Sequence, residues 1–206
     1  MIFLSTHESI KTFNSIIGYL TMEKNGKIVG LCGSFRKNSY NAMLLKVAGS
    51  LLPDGINFEI VSYDDIPIYN ADYDIPEVTD RPESVNKFRD TLATADAFII
   101  ASPEYNYSIP GGLKNAIDWA SRGKDSPLMH KPVALIGATQ GMWGTVRMQT
   151  AFLPVFTFLN MNPVLQPEVL IAQAQNKFDE NGNLTDDKTL SIIKIKLENL
   201  ISACRV

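Results

Sequence analysis

The chain has 206 residues, 45% of them hydrophobic and 20% charged, with a formal net charge of −3. That length suits one α/β domain with a full core. The mildly acidic balance, without a basic stripe, argues against nucleic acid as the main partner. No apolar run approaches the ~20 residues a membrane-spanning helix needs, so no membrane association is expected.

Ile10, Phe13, Ile17 and Leu20 recur at roughly helical spacing, without the basic region or small-residue cleavage site of a secretory signal. Residues 1–21 are read as a peripheral N-terminal extension and 22–206 as the core domain. The apolar run Lys27-Ile28-Val29-Gly30-Leu31 predicts a first strand. It leads into Gly33-Ser34-Phe35-Arg36-Lys37-Asn38-Ser39-Tyr40-Asn41, after which Leu44, Val47, Ala48 and Leu51 mark a helix face. A helix N-terminus offers unpaired N–H groups and a partial positive charge. Ser34, Ser39 and Asn41 add neutral donors, and Arg36 adds a charged fork suited to phosphate oxygens. The turn has neither the GxxxxGK[ST] spacing of nucleotide hydrolases nor the GxGxxG of a dinucleotide turn, so it points to a terminal monophosphate.

A second strand is expected at Asn57-Phe58-Glu59-Ile60-Val61, then a loop from Asp64 to Asp74 and a helix with Val85, Phe88 and Leu92 on one face. Ala97-Phe98-Ile99-Ile100-Ala101 and Val133-Ala134-Leu135-Ile136 are continuous apolar runs, the pattern of parallel strands covered on both faces. Between them Ser108 is expected to cap a helix carrying Leu113, Ala116, Ile117 and Ala120, with Pro110 in its first turn. Pro154 interrupts the helical pattern Met148, Phe152, Val155, Phe156, Leu159, and a kink or restart is predicted there. Val164 to Ile171 supplies a last strand, and Leu190, Ile193, Leu197, Leu200 and Ile201 a terminal helix. Alternating units of this kind predict a flavodoxin-like three-layer α/β fold with a five-stranded parallel sheet in the order 2-1-3-4-5. In that order a ligand sits outside the carboxyl ends of the strands.

The loops after strands 3 and 4 should therefore face the same ligand. The first, Ser102-Pro103-Glu104-Tyr105-Asn106-Tyr107-Ser108-Ile109-Pro110-Gly111-Gly112, offers backbone amides and aromatic rings able to hold a flat heteroaromatic edge. The second, Ala138-Thr139-Gln140-Gly141-Met142-Trp143-Gly144-Thr145, offers glycines for close approach and polar contacts from Thr139 and Gln140. A planar ring with a monophosphate tail fits the set, and flavin mononucleotide (FMN) is the natural candidate.

On the first turn, and on the long segment from Pro103 to Trp119, the chain resembles the NAD(P)H-dependent FMN reductases, nearest their bacterial chromate, quinone and azo-dye reductase branch. The resemblance runs from about Lys27 to the C-terminus. It implies that Ser34, Arg36, Ser39 and Asn41, with Tyr40 in the same turn, hold the FMN phosphate. Pro103, Glu104, Tyr105, Asn106 and Tyr107 would line the flavin, chiefly through backbone atoms, and Thr139, Gln140, Gly141 and Gly144 would complete the site. It also implies NADPH or NADH as co-substrate and a small-molecule acceptor such as a quinone, azo compound, free flavin or chromate. A cytoplasmic homodimer or homotetramer is expected, with Arg147 and Glu168 aligned with subunit-contact positions. Two departures concern the substrate mouth: Thr145 stands where the family usually has a glycine, and Trp143 is bulkier than usual.

Other features read as structural. Cys32 and Cys204 have no metal or redox spacing, as in a reduced cytoplasm. A reactive thiol at Cys32 is weighed against a small buried apolar residue, and the latter is favoured. Asp118 and Trp119 suit helix packing, and Asp64 and Asp65 suit turns. His7 and His130 lack partners at ligand spacing. The segment Phe178 to Asn183 lacks the regular acidic spacing and terminal Glu of a calcium loop. No acid–base or nucleophile constellation stands out, as expected if a flavin carries the redox step. The competing readings are a flavodoxin-type electron carrier, which is ordinarily more acidic, and a non-enzymatic flavin-binding regulator.

Overall fold

The computed structural model describes residues 26–74 and 81–204. The N-terminal helical pattern and His7 lie outside the described residues. The sheet comprises β1 (Lys27–Cys32), β2 (Asn57–Ile60), β3 (Ala97–Ala101), β4 (Pro132–Ala138) and β5 (Asn162–Ile171). Their order is β2-β1-β3-β4-β5 and every pairing is parallel, as the alternating pattern predicts. The helices are α1 (Tyr40–Ser50), α2 (Glu83–Ala93), α3 (Gly111–Ala120), α4 (Val146–Phe158) and α5 (Asp187–Ala203).

Strand side chains alternate between faces, and that alternation divides the core. Val29, Leu31, Phe98, Ile100, Val133 and Leu135 face α2, α3 and α4, where Phe88, Leu113, Met148 and Phe152 meet them. Ile28, Ile99, Ala134, Ile136 and Val169 face α1 and α5, against Leu44, Leu45, Ile193 and Leu197. Because both faces of β3 and β4 are fully covered, their sequences read as unbroken apolar runs. Among the described residues no helix is long and apolar enough to cross a membrane.

Two local expectations are corrected. Ser108 does not cap α3; Pro110 holds that position without a side-chain bond, and Ser108 instead closes a two-residue turn with Tyr105. The restart predicted at Pro154 does not occur, and α4 runs as one helix from Val146 to Phe158. Its buried residues Met148, Phe152 and Phe156 hold the helix on the sheet across the missing backbone bond. The last strand also starts earlier than expected, at Asn162.

The β5 register shifts between the partners of Ala134 and Ile136. The buried Lys196 of α5 satisfies two strand carbonyls there, donating to those of Val164 at 2.5 Å and Leu165 at 3.1 Å. Burial pushes its pKa down from 10.5 to about 8, and the Glu168 charge only partly opposes this. The unfolded chain therefore keeps this proton through a window in which the folded chain has lost it. Stability should rise as the pH climbs from about 8 toward 10.5. Burial raises the pKa of Cys32 and of Tyr63, and these oppose the trend above about 9 and about 10, so the rise is steepest between about 8 and 9. Urea unfolding at a series of pH values should show the rise, and Lys196→Met should flatten it.

Candidate functional site

Parallel pairing places the loops after β1, β3 and β4 at one rim, and each begins by extending a ladder. Gly33 donates to the Ala101 carbonyl at 2.8 Å, Ser102 to Ile136 at 3.0 Å and Thr139 to Ile171 at 2.9 Å. The segments singled out in the sequence are thus brought together.

The first turn is built around Ser39, the N-cap of α1. Its hydroxyl accepts from the amides of Asn41 at 3.2 Å and Ala42 at 3.4 Å. Ser34 accepts the Arg36 amide at 3.3 Å. The amides of Lys37, Asn38 and Tyr40 donate to no acceptor among the described residues. Arg36 is exposed, and the first turn of α1 carries no acidic side chain. Unpaired N–H groups, hydroxyls and a guanidinium fit a phosphate.

Two residues of the same turn point elsewhere. The Asn41 side chain is buried and committed to the end of β4, donating to the Ala138 carbonyl and accepting the Ala138 amide, each at 2.9 Å. It ties the first loop to the third. The Tyr40 ring lies against Phe178 with centroids 5.6 Å apart, on the side of the core shared with α5.

The β3 loop turns on Asn106 and Tyr107, whose φ angles of 49° and 63° are both left-handed. Tyr105 and Ser108 close the turn with paired backbone bonds of 3.1 and 2.9 Å, the signature of a type I′ turn. The Asn106 and Tyr107 amides at its tip donate to no described residue. The Tyr105 and Tyr107 rings are exposed. Pro103 and Glu104, just before the turn, are half-buried.

In the β4 loop, Thr139 accepts the Gly141 amide at 3.2 Å. Gln140 and Gly141 are exposed, and Trp143 leaves 73% of its surface in solvent. Gly144 has φ 62°, and a Cβ there would sit 3.0 Å from Leu170, so a side chain would be strained and crowded. Thr145 is fully buried at the N-cap of α4 and makes no capping bond. Its hydroxyl has no partner among the described residues.

One contributor, Tyr63, carried no sequence signal. Tyr63 reaches back to donate to the Cys32 carbonyl. Phe35 lies edge-on to Tyr63 at 5.1 Å, and its ring occupies space that a side chain at Gly112 would need. The Cys32 thiol donates to the Ser34 carbonyl at 3.4 Å, and burial pushes its pKa up. A thiol held protonated is a poor nucleophile. Trp119 donates to the Pro67 carbonyl from full burial, a packing role, whereas Asp118 pairs with Lys114 at 2.5 Å on the partly exposed side of α3. Among the described residues no cluster suits a metal ion.

Two substitutions test this geometry. Asn41→Ala should cost about 2–4 kcal/mol, because it leaves the buried Ala138 amide and carbonyl unpaired. Thr145→Val should add about 1 kcal/mol by removing a buried hydroxyl that bonds nothing. Urea denaturation of both variants reads the difference.

Comparison with known proteins shows the family. A family model described as NADPH-dependent FMN reductase matches residues 26–176. The chain is 42% identical over 179 residues to an NAD(P)H-dependent FMN reductase of Pseudomonas aeruginosa, covering 87% of this chain and 95% of the relative. It is 37% identical over 171 residues to a quinone reductase of Escherichia coli K12, covering 82% and 90%. Among solved structures, the flavoenzyme FerB of Paracoccus denitrificans, an NAD(P)H:(acceptor) oxidoreductase, matches with a TM-score of 0.78 at 31% identity, covering 87% of this chain and 97% of that one. A match over most of the chain makes this protein a member of the NADPH-dependent FMN reductase family.

Proposed function

We propose that this protein is an FMN-dependent oxidoreductase that takes electrons from NADH or NADPH and delivers them to a small acceptor, quinones first among them. The observation that carries the reading is the turn into α1, where the amides of Lys37, Asn38 and Tyr40 donate to no described acceptor, Ser34, Ser39 and an exposed Arg36 stand beside them, and the first helical turn carries no acidic residue. Quinones come first because relatives bear that activity in their names. Azo compounds, free flavin and chromate-like oxyanions follow from the family resemblance.

Bound FMN would supply the hydride and electron chemistry, which leaves the chain to bind, orient and shield. Ser34, Arg36 and Ser39, with the amides of Lys37, Asn38 and Tyr40, hold the phosphate tail. Asn41 acts indirectly, fixing the β4 loop to that seat. The Asn106 and Tyr107 amides meet the polar edge of the ring, within the stretch Pro103 to Tyr107. Thr139, Gln140, Gly141 and Gly144 form the opposite wall, where the glycines allow close approach. Trp143 and the exposed tyrosines border the mouth through which nicotinamide and acceptor enter in turn. A homodimer or homotetramer is part of the same proposal. It is supported by an open groove of about 520 Å³ along α3 and α4, beside which Phe158 is 81% exposed. A cytoplasmic location, resting on cysteine usage, completes it.

Titration of the protein with FMN tests the reading. Quenched flavin fluorescence, followed by bleaching on adding NAD(P)H and recovery on adding a quinone, is the expected result. Binding without bleaching would instead indicate the electron carrier. Arg36→Ala should weaken FMN binding about tenfold, since it removes one charge-assisted contact from an exposed site.

A further inference from the structure

The cap that α4 lacks locally is supplied from the other flavin loop. Thr145 occupies the N-cap and bonds nothing with its hydroxyl. One oxygen of the Glu104 carboxylate accepts the amides of Arg147 at 2.9 Å and Met148 at 3.1 Å. The other oxygen meets the Arg147 guanidinium at 3.4 Å, and the Glu104 side chain is only 10% exposed. Arg147 in turn lies over the Tyr107 ring, 4.1 Å from its centroid. Tyr107 is one of the two left-handed residues at the turn tip.

These contacts form a closed circuit: β3 loop to helix α4, α4 to Arg147, and Arg147 back to the β3 loop. A carboxylate at a helix N-terminus is stabilised by the unpaired amides and the helix dipole, and more so when partly buried. A non-glycine pair in left-handed conformation is strained and persists only when its surroundings hold it. The cation over the Tyr107 ring is one such hold.

We propose that Glu104 is a positioning residue for the flavin, acting through its side chain rather than by touching the cofactor. It locks the β3 turn, which meets the ring edge, to the first turn of α4, which directly follows the β4 loop that forms the opposite wall. Arg147 is the second member of this latch, and its hold on Tyr107 fixes the turn tip. The proposal rests on the FMN reading above.

The test compares wild type, Glu104→Ala, Glu104→Gln and Arg147→Met for FMN dissociation constant, the visible spectrum of bound flavin, and kcat with a quinone. Glu104→Ala uncaps α4 and frees the turn, so FMN binding should weaken about tenfold or more, with an altered flavin spectrum and a lower kcat. Glu104→Gln keeps an acceptor oxygen and should recover part of the loss. Arg147→Met leaves the capped amides in place and should fall nearer wild type. A merely structural role would lower the melting temperature of Glu104→Ala while leaving FMN affinity, spectrum and kcat unchanged, and that result would overturn the proposal. Should Glu104→Ala fail to fold, the double variant Glu104→Gln with Arg147→Met decides: FMN affinity and kcat both within twofold of wild type would overturn the proposal. If wild type itself binds no FMN, the underlying reading fails, a result distinct from failure of the latch.

Discussion

The start of α1 is where the molecule leaves backbone charge uncompensated. Every helix begins with amides that have no partner inside the helix, and most chains satisfy them with side chains or water. Here Ser39 satisfies the amides of Asn41 and Ala42. That of Tyr40, and those of Lys37 and Asn38 in the turn before it, donate to no described acceptor beside the exposed Arg36. Such an arrangement favours an anion, and the sheet beneath decides what else that anion's molecule must touch. With β3 and β4 parallel to β1, their loops lie along the same rim. A ligand anchored by its phosphate at the first is carried across the other two.

Keeping those loops in one relation is a packing and hydrogen-bond problem rather than a catalytic one. Asn41 spans from α1 to the last residue of β4, with both polar atoms of its amide engaged. Glu104 spans from the β3 loop to α4. Tyr63 pins the end of β1 from the β2 side. Each of these groups is removed from water and bonded, so displacing one loop would leave buried polar atoms unpaired in another. Meanwhile the tips themselves, Tyr107 and Trp143, stay exposed at 69% and 73%. A firm base with open edges suits an enzyme whose two substrates use the same opening.

Much of this could be read from the residues alone. The runs Ala97–Ala101 and Val133 to Ile136 are apolar throughout because both sheet faces are covered, and that pattern distinguishes buried parallel strands. Glycine, serine and arginine after β1 carry their chemistry in the side chains and in the turn they require. What stayed hidden was pairing over long separations. Asn41 was read as a phosphate donor, yet its amide meets Ala138, 97 positions away. Glu104 was read as part of the flavin wall, yet its carboxylate reaches a helix 43 positions on. Ser108 looked like a cap because it precedes a helix, but a tight turn claims its backbone first. Pro154 looked like a break because local rules omit the tertiary packing of Phe152 and Phe156.

The account stands on the phosphate seat, and comparing FMN with riboflavin probes it most directly, since the two share the ring and ribityl chain and differ in the phosphate. Binding constants measured side by side by fluorescence quenching should favour FMN by about 100-fold or more, as expected when several charge-assisted contacts are lost together. Equal affinity for the two would mean that the turn bearing Arg36 does not hold the tail, and the placement of the cofactor across the rim would be contradicted.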